Sequence, residues 1–245
     1  MKECSKSIPR RLRDVAFATR YFRGDGVDIG GKPDPLFLYS ELFPLVNSIR
    51  TWDIEDGDAQ LMVGVEDNSL DFVHSSHCLE HLHDPIEGIR NWLRILRPDG
   101  HLVITVPDED LYEQGVFPST FNTDHKWTFT IYKPSSWSNR SMSVFELLQG
   151  LGAEADTLKV ELLHSTYRFL LPRFDQTVTP IAECGIEFIV RKRAPIEVAE
   201  RGRLPTRNAQ PTGETRVHLN QYRDDYANMK CSNTSSAPFQ NDDPI

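Results

Sequence analysis

Along the first two hundred residues, short apolar runs that are typical of strands alternate with segments whose apolar residues recur at helical spacing. Short β-branched and apolar runs between turn-forming residues are typical of buried strands. The runs that predict strands are residues 27–29, 49–53, 70–74 and 101–106. Apolar residues at helical spacing from Ile86 to Leu96 predict a helix, with Asp84 as its cap and Pro85 in its first turn. Strands that alternate with helices favour an α/β fold, Rossmann-like, with a mostly parallel sheet flanked by helices.

Further helices are predicted on both sides of this pattern, at residues 11–21, 36–46 and 143–150. Residues 158–163 and 185–192 predict two last strands that close the sheet as an antiparallel hairpin. Between these parts, residues 111–141 lose the helix–strand rhythm and carry many aromatic side chains, so we interpret them as an insertion that forms a lid or binding loop. We therefore predict one domain over residues 1–194 and a disordered tail over residues 195–245, which is rich in polar residues.

Composition narrows the class of protein further. The 245 residues are 39 % apolar and 26 % charged, which is ordinary for a soluble globular domain. A formal net charge of −9 argues against general nucleic-acid binding. The four cysteines are scattered, with no metal-ligand spacing, and no apolar run reaches the length of about 20 residues that spans a bilayer. These features predict a cytoplasmic protein with free thiols, no membrane span and no bound metal.

The glycines and acidic residues at two strand ends predict a nucleoside site. Asp28 ends the first strand and is followed by Gly30 and Gly31, which let a ligand approach bare backbone because they carry no Cβ. Asp53 ends the second strand, where a carboxylate suits the paired hydroxyls of a ribose. The alternative for Asp53 and for Asp58 is that both are solvated turn residues, since Asp is common in turns.

The motifs, taken in order, resemble class I S-adenosylmethionine-dependent methyltransferases. They resemble most the bacterial methyltransferase-domain proteins that are often found with cell-surface polysaccharide genes. The resemblance is good over residues 24–110 and holds only in outline over residues 111–193. The motifs are Val27-Asp28-Ile29-Gly30-Gly31, Asp53, Gly57-Asp58-Ala59-Gln60, residues 67–73, Leu79-Glu80-His81-Leu82 and residues 96–102.

The resemblance implies S-adenosyl-L-methionine as the cofactor and assigns a part of it to each motif. Asp28, Gly30 and Gly31 would line its methionine end, and Asp53 would accept hydrogen bonds from the ribose hydroxyls. The remaining implied cofactor-binding residues are Asp58 and Ala59 beside the adenine, and Ser75, Ser76 and His77 beside the sulfonium.

The chain departs from the family in two places. Lys32 and Asp34 stand where the family has its next glycines, and a side chain there narrows the approach of the backbone to the cofactor. There is also little room for a normal helix between Asp53 and Asp58, so either that helix is missing or a third strand is vestigial.

Methyl transfer to a hydroxyl is helped by a base near the methyl group, and three residues are candidates. His77 ranks first because it follows a predicted strand; a histidine that only orients its loop is the alternative. Asp108 follows the strand at residues 101–106. His125 lies in the aromatic insertion beside Asp124 and Trp127, in a set that could bind a sugar or form a structural plug. Asp108, Asp124 and His125 could instead hold a divalent metal, but no spacing rule supports that.

The predicted function is therefore methyl transfer from S-adenosylmethionine to a small or carbohydrate-like acceptor, as an O-methylation. Two alternatives stay open. One is a non-catalytic nucleoside-binding module with the same fold. The other is a nicotinamide-dependent oxidoreductase, which lacks support because no Gly-x-Gly-x-x-Gly opens a helix.

Overall fold

The computed structural model describes residues 2–203. Up to Val198, the described residues form one compact unit. The helices are α1 (Glu3–Arg11), α2 (Pro85–Ile95), α3 (Val144–Gly150) and α4 (Pro195–Ala199). The strands are β1 (Gly24–Ile29), β2 (Val46–Trp52), β3 (Leu70–Ser76), β4 (Leu96–Pro107), β5 (Thr128–Thr130), β6 (Ser141–Ser143), β7 (Ala155–Leu163) and β8 (Gly185–Lys192).

Six of these strands form one sheet, in the order β2-β1-β3-β4-β8-β7. The first four are parallel, and β8 runs antiparallel between β4 and β7. Strands β5 and β6 form a separate parallel pair. The fold predicted from the sequence, a Rossmann-like and mostly parallel sheet with an antiparallel closing hairpin, is thus confirmed.

The central strands are apolar because both faces of the sheet are covered. Residues Val73, Ile104 and Phe188 are fully buried in the larger core, where Trp92 of α2 packs against them. Helix α2 begins as the sequence predicts: the Asp84 side chain accepts hydrogen bonds from the backbone N–H groups of Ile86 and Glu87. Since β1, β2, β3 and β4 are parallel, their carboxyl ends meet at one edge of the sheet.

The structure corrects two local predictions and agrees with a third. Helix α1, Glu3–Arg11, was not predicted and precedes the helix predicted at 11–21, which is shorter, covers residues 15–21 and ends as the π-helix Phe17–Tyr21. The helix predicted at 36–46 is a 3₁₀ helix over Leu36–Leu42, and Val46 already belongs to β2. Between β2 and β3 the described chain has one 3₁₀ turn, Ile54–Asp56. It has neither a regular α-helix nor another strand there, in agreement with the short passage seen in the sequence.

The predicted tail begins with the short helix α4, and its residues 204–245 lie outside the described part of the chain. None of the helices within residues 2–203 combines the length and apolar character needed to cross a bilayer.

Candidate functional site

Two cavities share one wall at the carboxyl ends of the parallel strands. The first, called here the open groove, has a volume of about 580 Å³ and runs along the ends of β1 and β2. The second, called here the polar cavity, has a volume of about 190 Å³ and lies beyond the ends of β1 and β3. Four residues line both: Gly30, Lys32, His77 and His81.

Gly30 gives this shared wall its shape. Its φ of +71° lies in the left-handed region, and an added Cβ would lie 2.8 Å from Cβ of Cys78. Its N–H donates to the Trp52 carbonyl at 2.8 Å, which ties the end of β1 to the end of β2. The two strand ends therefore lie side by side, with bare backbone facing the open groove. Gly31 is required for a different reason, since a Cβ there would lie 2.4 Å from Oδ2 of Asp28.

The acidic residues predicted for a nucleoside line the open groove. Asp53 caps the 3₁₀ turn, with Oδ1 accepting from Ile54 N at 2.9 Å and Oδ2 from Lys32 N at 3.2 Å. Asp58 is exposed, and its Oδ1 accepts from Gln60 N at 2.7 Å. Ala59 lines the same groove, and its carbonyl accepts from the Trp92 indole at 2.8 Å.

Lys32 leaves the open groove accessible. Its ammonium pairs with the carboxylate of Glu55, and its side chain is 54 % exposed. The groove keeps its volume of about 580 Å³ with Lys32 in this position. Asp34, which like Lys32 stands where the family has a glycine, accepts from the Ser5 N–H and the Tyr39 hydroxyl, so it anchors α1 and the 3₁₀ helix.

Asp28 lines the polar cavity, but both of its carboxylate oxygens are used by the fold. Oδ2 accepts from Leu36 N at 2.7 Å, and Oδ1 lies 2.6 Å from Nδ1 of His74. Nε2 of His74 lies 3.0 Å from the Arg11 guanidinium, which can only donate, so Nδ1 of His74 carries the proton. Arg11 then donates twice to Glu187 on β8. Asp28 is thus the end of a buried network that joins β1, β3, α1 and β8.

The residues predicted beside the sulfonium divide between two environments. Ser76 and His77 line the polar cavity. Ser75 lines neither cavity, because its hydroxyl is buried and donates to the Ile29 carbonyl at 3.0 Å. Asp108 also lies outside both cavities: its Oδ1 caps the turn at Glu109–Glu113 by accepting from Asp110 N and Leu111 N. Burial raises the pKa of Asp108 to about 6.

His77 lies where the two cavities meet. Its φ is +55°, and its N–H donates to the Thr105 carbonyl of β4 at 2.9 Å, so the left-handed turn is fixed by the sheet. The side chain is 8 % exposed, with Nδ1 3.6 Å from Oε1 of Glu80 and Nε2 3.8 Å from Oε2 of Glu3. Within residues 2–203, neither ring nitrogen has a hydrogen-bond partner.

Glu80 collects three imidazoles around one carboxylate oxygen. Its side chain is fully buried, and Oε1 lies 3.6 Å from Nδ1 of His77 and 3.8 Å from Nε2 of both His81 and His125. Burial alone would raise the pKa of the Glu80 carboxyl, but His77, then His125 and His81, outweigh it and lower it to about 2. We call Glu80, His77, His81 and His125 the Glu80 cluster.

The insertion supplies His125 to this cluster and is held in place by Glu80 itself. Backbone N–H groups of Lys126 and Trp127 donate to the Glu80 carbonyl at 2.9 and 3.2 Å. Trp127 does not present a free ring face on both sides, because the Arg140 guanidinium lies 3.9 Å from its centroid. Asp124 lies beside His81 and does not join His125 and Asp108 in a metal set.

Sequence reasoning assigned no role to Glu80, His81 or Glu113. Glu80 and His81 stand together in the Leu79-Glu80-His81-Leu82 motif, and this adjacency of a carboxylate and an imidazole could have marked them as site residues. Glu113 carried none, since it meets His125 only because the insertion folds back: Oε1 of Glu113 lies 2.7 Å from Nδ1 of His125.

The structure is an α/β fold with a groove at the carboxyl ends of its parallel strands. A family model described as a methyltransferase domain matches residues 13–145, which is more than half of the chain, so the protein belongs to the methyltransferase domain family. No curated protein sequence matches the chain.

Solved structures share the fold at low sequence identity. One is a chain from the complex of the Haloferax volcanii Trm112 methyltransferase activator with a candidate methyltransferase. It is 14 % identical, with a TM-score of 0.50, over 78 % of this chain and 91 % of that one. Another is an S-adenosylmethionine-dependent methyltransferase from Mesorhizobium loti, 13 % identical, with a TM-score of 0.48, over 76 % of this chain and 98 % of that one. At such identity the likeness concerns the fold alone.

Proposed function

We propose that this protein transfers a methyl group from S-adenosylmethionine to an oxygen of a small, hydroxylated acceptor. The observation that carries the proposal is the open groove, in which bare backbone at Gly30 and the carboxylate of Asp53 lie on neighbouring strand ends. Membership of the methyltransferase domain family supports the same reaction.

The residues of the groove fit the cofactor. Asp53 has lone pairs beyond those used by Ile54 and Lys32, so it can accept from a ribose diol. Asp58 and Ala59 border the adenine end, and Gly30 lines the groove with backbone alone, in a left-handed conformation where a Cβ would also meet Cys78. When bound, S-adenosylmethionine supplies the electrophilic methyl group, and the chain's own residues orient the acceptor and handle its proton.

The acceptor would occupy the polar cavity. A volume of about 190 Å³ admits a small molecule or one sugar residue, and its lining of Ser76, His77, Asn122 and His125 offers hydrogen bonds to hydroxyl groups. A building block of a surface polysaccharide is one such acceptor, in keeping with the resemblance of the sequence. Stacking of that acceptor on Trp127 is not part of the proposal, because Arg140 covers one face of that ring.

Cofactor binding is tested with Asp53→Asn, since asparagine removes the carboxylate and keeps the cap from Ile54 N through its one oxygen, with the loss of the 3.2 Å hydrogen bond from Lys32 N. We expect S-adenosylmethionine to bind at least about tenfold more weakly, because a charge-assisted hydrogen bond contributes about 1.5–3 kcal/mol. Isothermal titration calorimetry measures this affinity. Asp56→Asn is the matched control, because Asp56 belongs to the same capping box and does not line the groove. Unchanged affinity in Asp53→Asn, or binding of NAD in place of S-adenosylmethionine, would overturn the proposal.

His77 is the residue proposed to accept the proton of the acceptor hydroxyl, because it lies where groove and cavity meet. His77→Asn suits the test, since asparagine tolerates the φ of +55°. We expect turnover to fall at least about 100-fold while cofactor affinity changes by less than about threefold. Release of S-adenosylhomocysteine with a panel of small hydroxylated acceptors measures turnover, and the exposed His83→Asn is the control. Weaker cofactor binding with normal turnover would remove His77 from this role.

A further inference from the structure

We propose that Glu80, His81 and His125 bind one divalent transition-metal ion at the edge of the polar cavity. One donor atom of each residue can be chosen so that all three lie within 4.8 Å of one another. Two ligand atoms of a tetrahedral zinc-like ion, each about 2.1 Å from it, are about 3.4 Å apart. The 3.8 Å between Oε1 of Glu80 and each Nε2 would close by about 0.4 Å, and the third pair, no more than 4.8 Å apart, by at most about 1.4 Å.

Carboxylates next to the cluster hold the rings of His81 and His125 in the orientation that is common for histidine ligands of metals. Nδ1 of His125 lies 2.7 Å from Oε1 of Glu113, and Nδ1 of His81 lies 3.0 Å from Oδ2 of Asp124. Because a carboxylate can only accept, each Nδ1 carries a proton, and in the neutral ring Nε2 then presents a lone pair. Histidine ligands of metals commonly donate their second ring nitrogen to a carboxylate in this way.

These lone pairs face another acceptor. Oε1 of Glu80 cannot donate, yet it lies 3.8 Å from Nε2 of His81 and of His125. A shared proton would draw each pair to about 2.7–3.2 Å, the range of a hydrogen bond. A metal ion between them fits the longer separation, because it lies about 2.1 Å from every donor.

Burial makes the arrangement costly without a cation. The side chains of Glu80 and His125 are 0 % and 1 % exposed, and within the described residues both Glu80 oxygens and Nε2 of His125 have no hydrogen-bond partner. An unpaired buried polar group destabilises a fold by about 1–3 kcal/mol, and a charged one by more. The cluster is therefore built around a ligand rather than as a self-contained part of the core.

The donor set selects the class of ion. Two imidazoles and one carboxylate suit Zn²⁺, Fe²⁺, Co²⁺ or Ni²⁺, whereas Mg²⁺ and Ca²⁺ prefer oxygen ligands. Three protein ligands leave a coordination position for another molecule, as in catalytic sites. An acceptor oxygen in the polar cavity could take that position, and this role alone rests on the proposed function.

The test uses the full-length protein stripped with a chelator, without S-adenosylmethionine. We expect one equivalent of Zn²⁺ to bind by calorimetry, and one equivalent of Co²⁺ to give a visible absorption band. Glu80→Gln and His81→Ala should each weaken Zn²⁺ binding at least about tenfold. His83→Ala is the matched control, because His83 is exposed and stands two positions from His81. Circular dichroism verifies that each variant is folded.

Two results would overturn the proposal: no Zn²⁺ or Co²⁺ bound by the folded wild type, or binding that neither Glu80→Gln nor His81→Ala weakens. S-adenosylmethionine affinity, measured on the stripped wild type, separates this proposal from the proposed function. Metal binding without cofactor binding would refute the function and leave the metal site standing. Cofactor binding without metal binding would refute the metal site and leave the proposed function standing.

Discussion

Two buried polar clusters lie beneath the same edge of the sheet, and they differ in how completely their atoms are paired. In the first, called the Arg11–Glu187 network, Glu187 accepts from Arg10 and Arg11 at 2.6–3.2 Å, and the chain of contacts continues through His74 to Asp28. In the second, the Glu80 cluster, the shortest approach to the carboxylate is 3.6 Å.

The difference separates a structural cluster from a binding cluster. A buried charge that has direct partners stabilises one arrangement of the elements around it, whereas one that lacks them costs free energy until something binds. The Arg11–Glu187 network joins α1 to β3 and β8 and leaves no polar atom of Glu187 unpaired. Both clusters reach the polar cavity, but in the Glu80 cluster both carboxylate oxygens of Glu80 lack a hydrogen-bond partner within the described residues. Degree of pairing, rather than burial or charge, thus indicates which cluster awaits a ligand.

The largest expected effect comes from Glu187→Gln. Burial alone would raise the pKa of Glu187, but Arg11 and Arg10 outweigh it and lower it from 4.5 to about 2. Because folding favours the charged form, the stabilisation is complete above about pH 4.5 and is lost as the pH falls through about 2. We expect Glu187→Gln to lower the free energy of unfolding by about 3 kcal/mol at pH 7. Urea denaturation measures it.

The pH dependence distinguishes this charge effect from simple loss of packing. The difference between wild type and Glu187→Gln should shrink below about pH 4.5, since protonated Glu187 resembles glutamine. Glu161→Gln is the control, because Glu161 lies opposite Glu187 on β7 but is 38 % exposed, and a surface pair contributes at most about 1 kcal/mol. A difference that is constant from pH 7 to pH 2 would contradict the electrostatic account.

Local signals in the sequence predicted much of the frame. Apolar runs located β1, β3 and β8, and Asp84 with Pro85 located the start of α2. The first helix was not predicted because its sequence, from Glu3 to Arg11, is mostly polar and shows no wide apolar stripe. Its role is electrostatic: it delivers Arg10 and Arg11 to Glu187, and no local pattern records that partner.

The contact between Gly30 and Asp53 could be predicted from the order of the strands, whereas the contacts of the Glu80 cluster could not. Gly30 and Asp53 end adjacent parallel strands, so strand order alone brings them together. His125 reaches Glu80 only because an irregular insertion folds back, and Glu113 reaches His125 from a π-helical turn. Neither contact follows from a periodic pattern, since both depend on tertiary packing.

The smallest expected effect on stability, and the sharpest contrast with Glu187, belongs to Glu80→Gln. The Glu80 oxygens accept no hydrogen bond within the described residues, so an amide in their place breaks none. At about pH 9, where imidazoles are neutral, and in the presence of a chelator, we expect Glu80→Gln to lower the free energy of unfolding by less than about 1 kcal/mol, whereas Glu187→Gln still lowers it by about 3 kcal/mol, although both glutamates are fully buried.

Stabilisation by Zn²⁺ should then show whether Glu80 binds a metal ion. At a free concentration 100 times the dissociation constant, a ligand stabilises the native state by about 2.7 kcal/mol. We expect this gain in the wild type and in Glu187→Gln, and at most about 1.4 kcal/mol in Glu80→Gln, whose binding is at least about tenfold weaker, at the same concentration, with urea denaturation as the measurement. If Glu80→Gln in chelator lost as much stability as Glu187→Gln does, the Glu80 cluster would be a second structural network, and the contrast between the two clusters would fail.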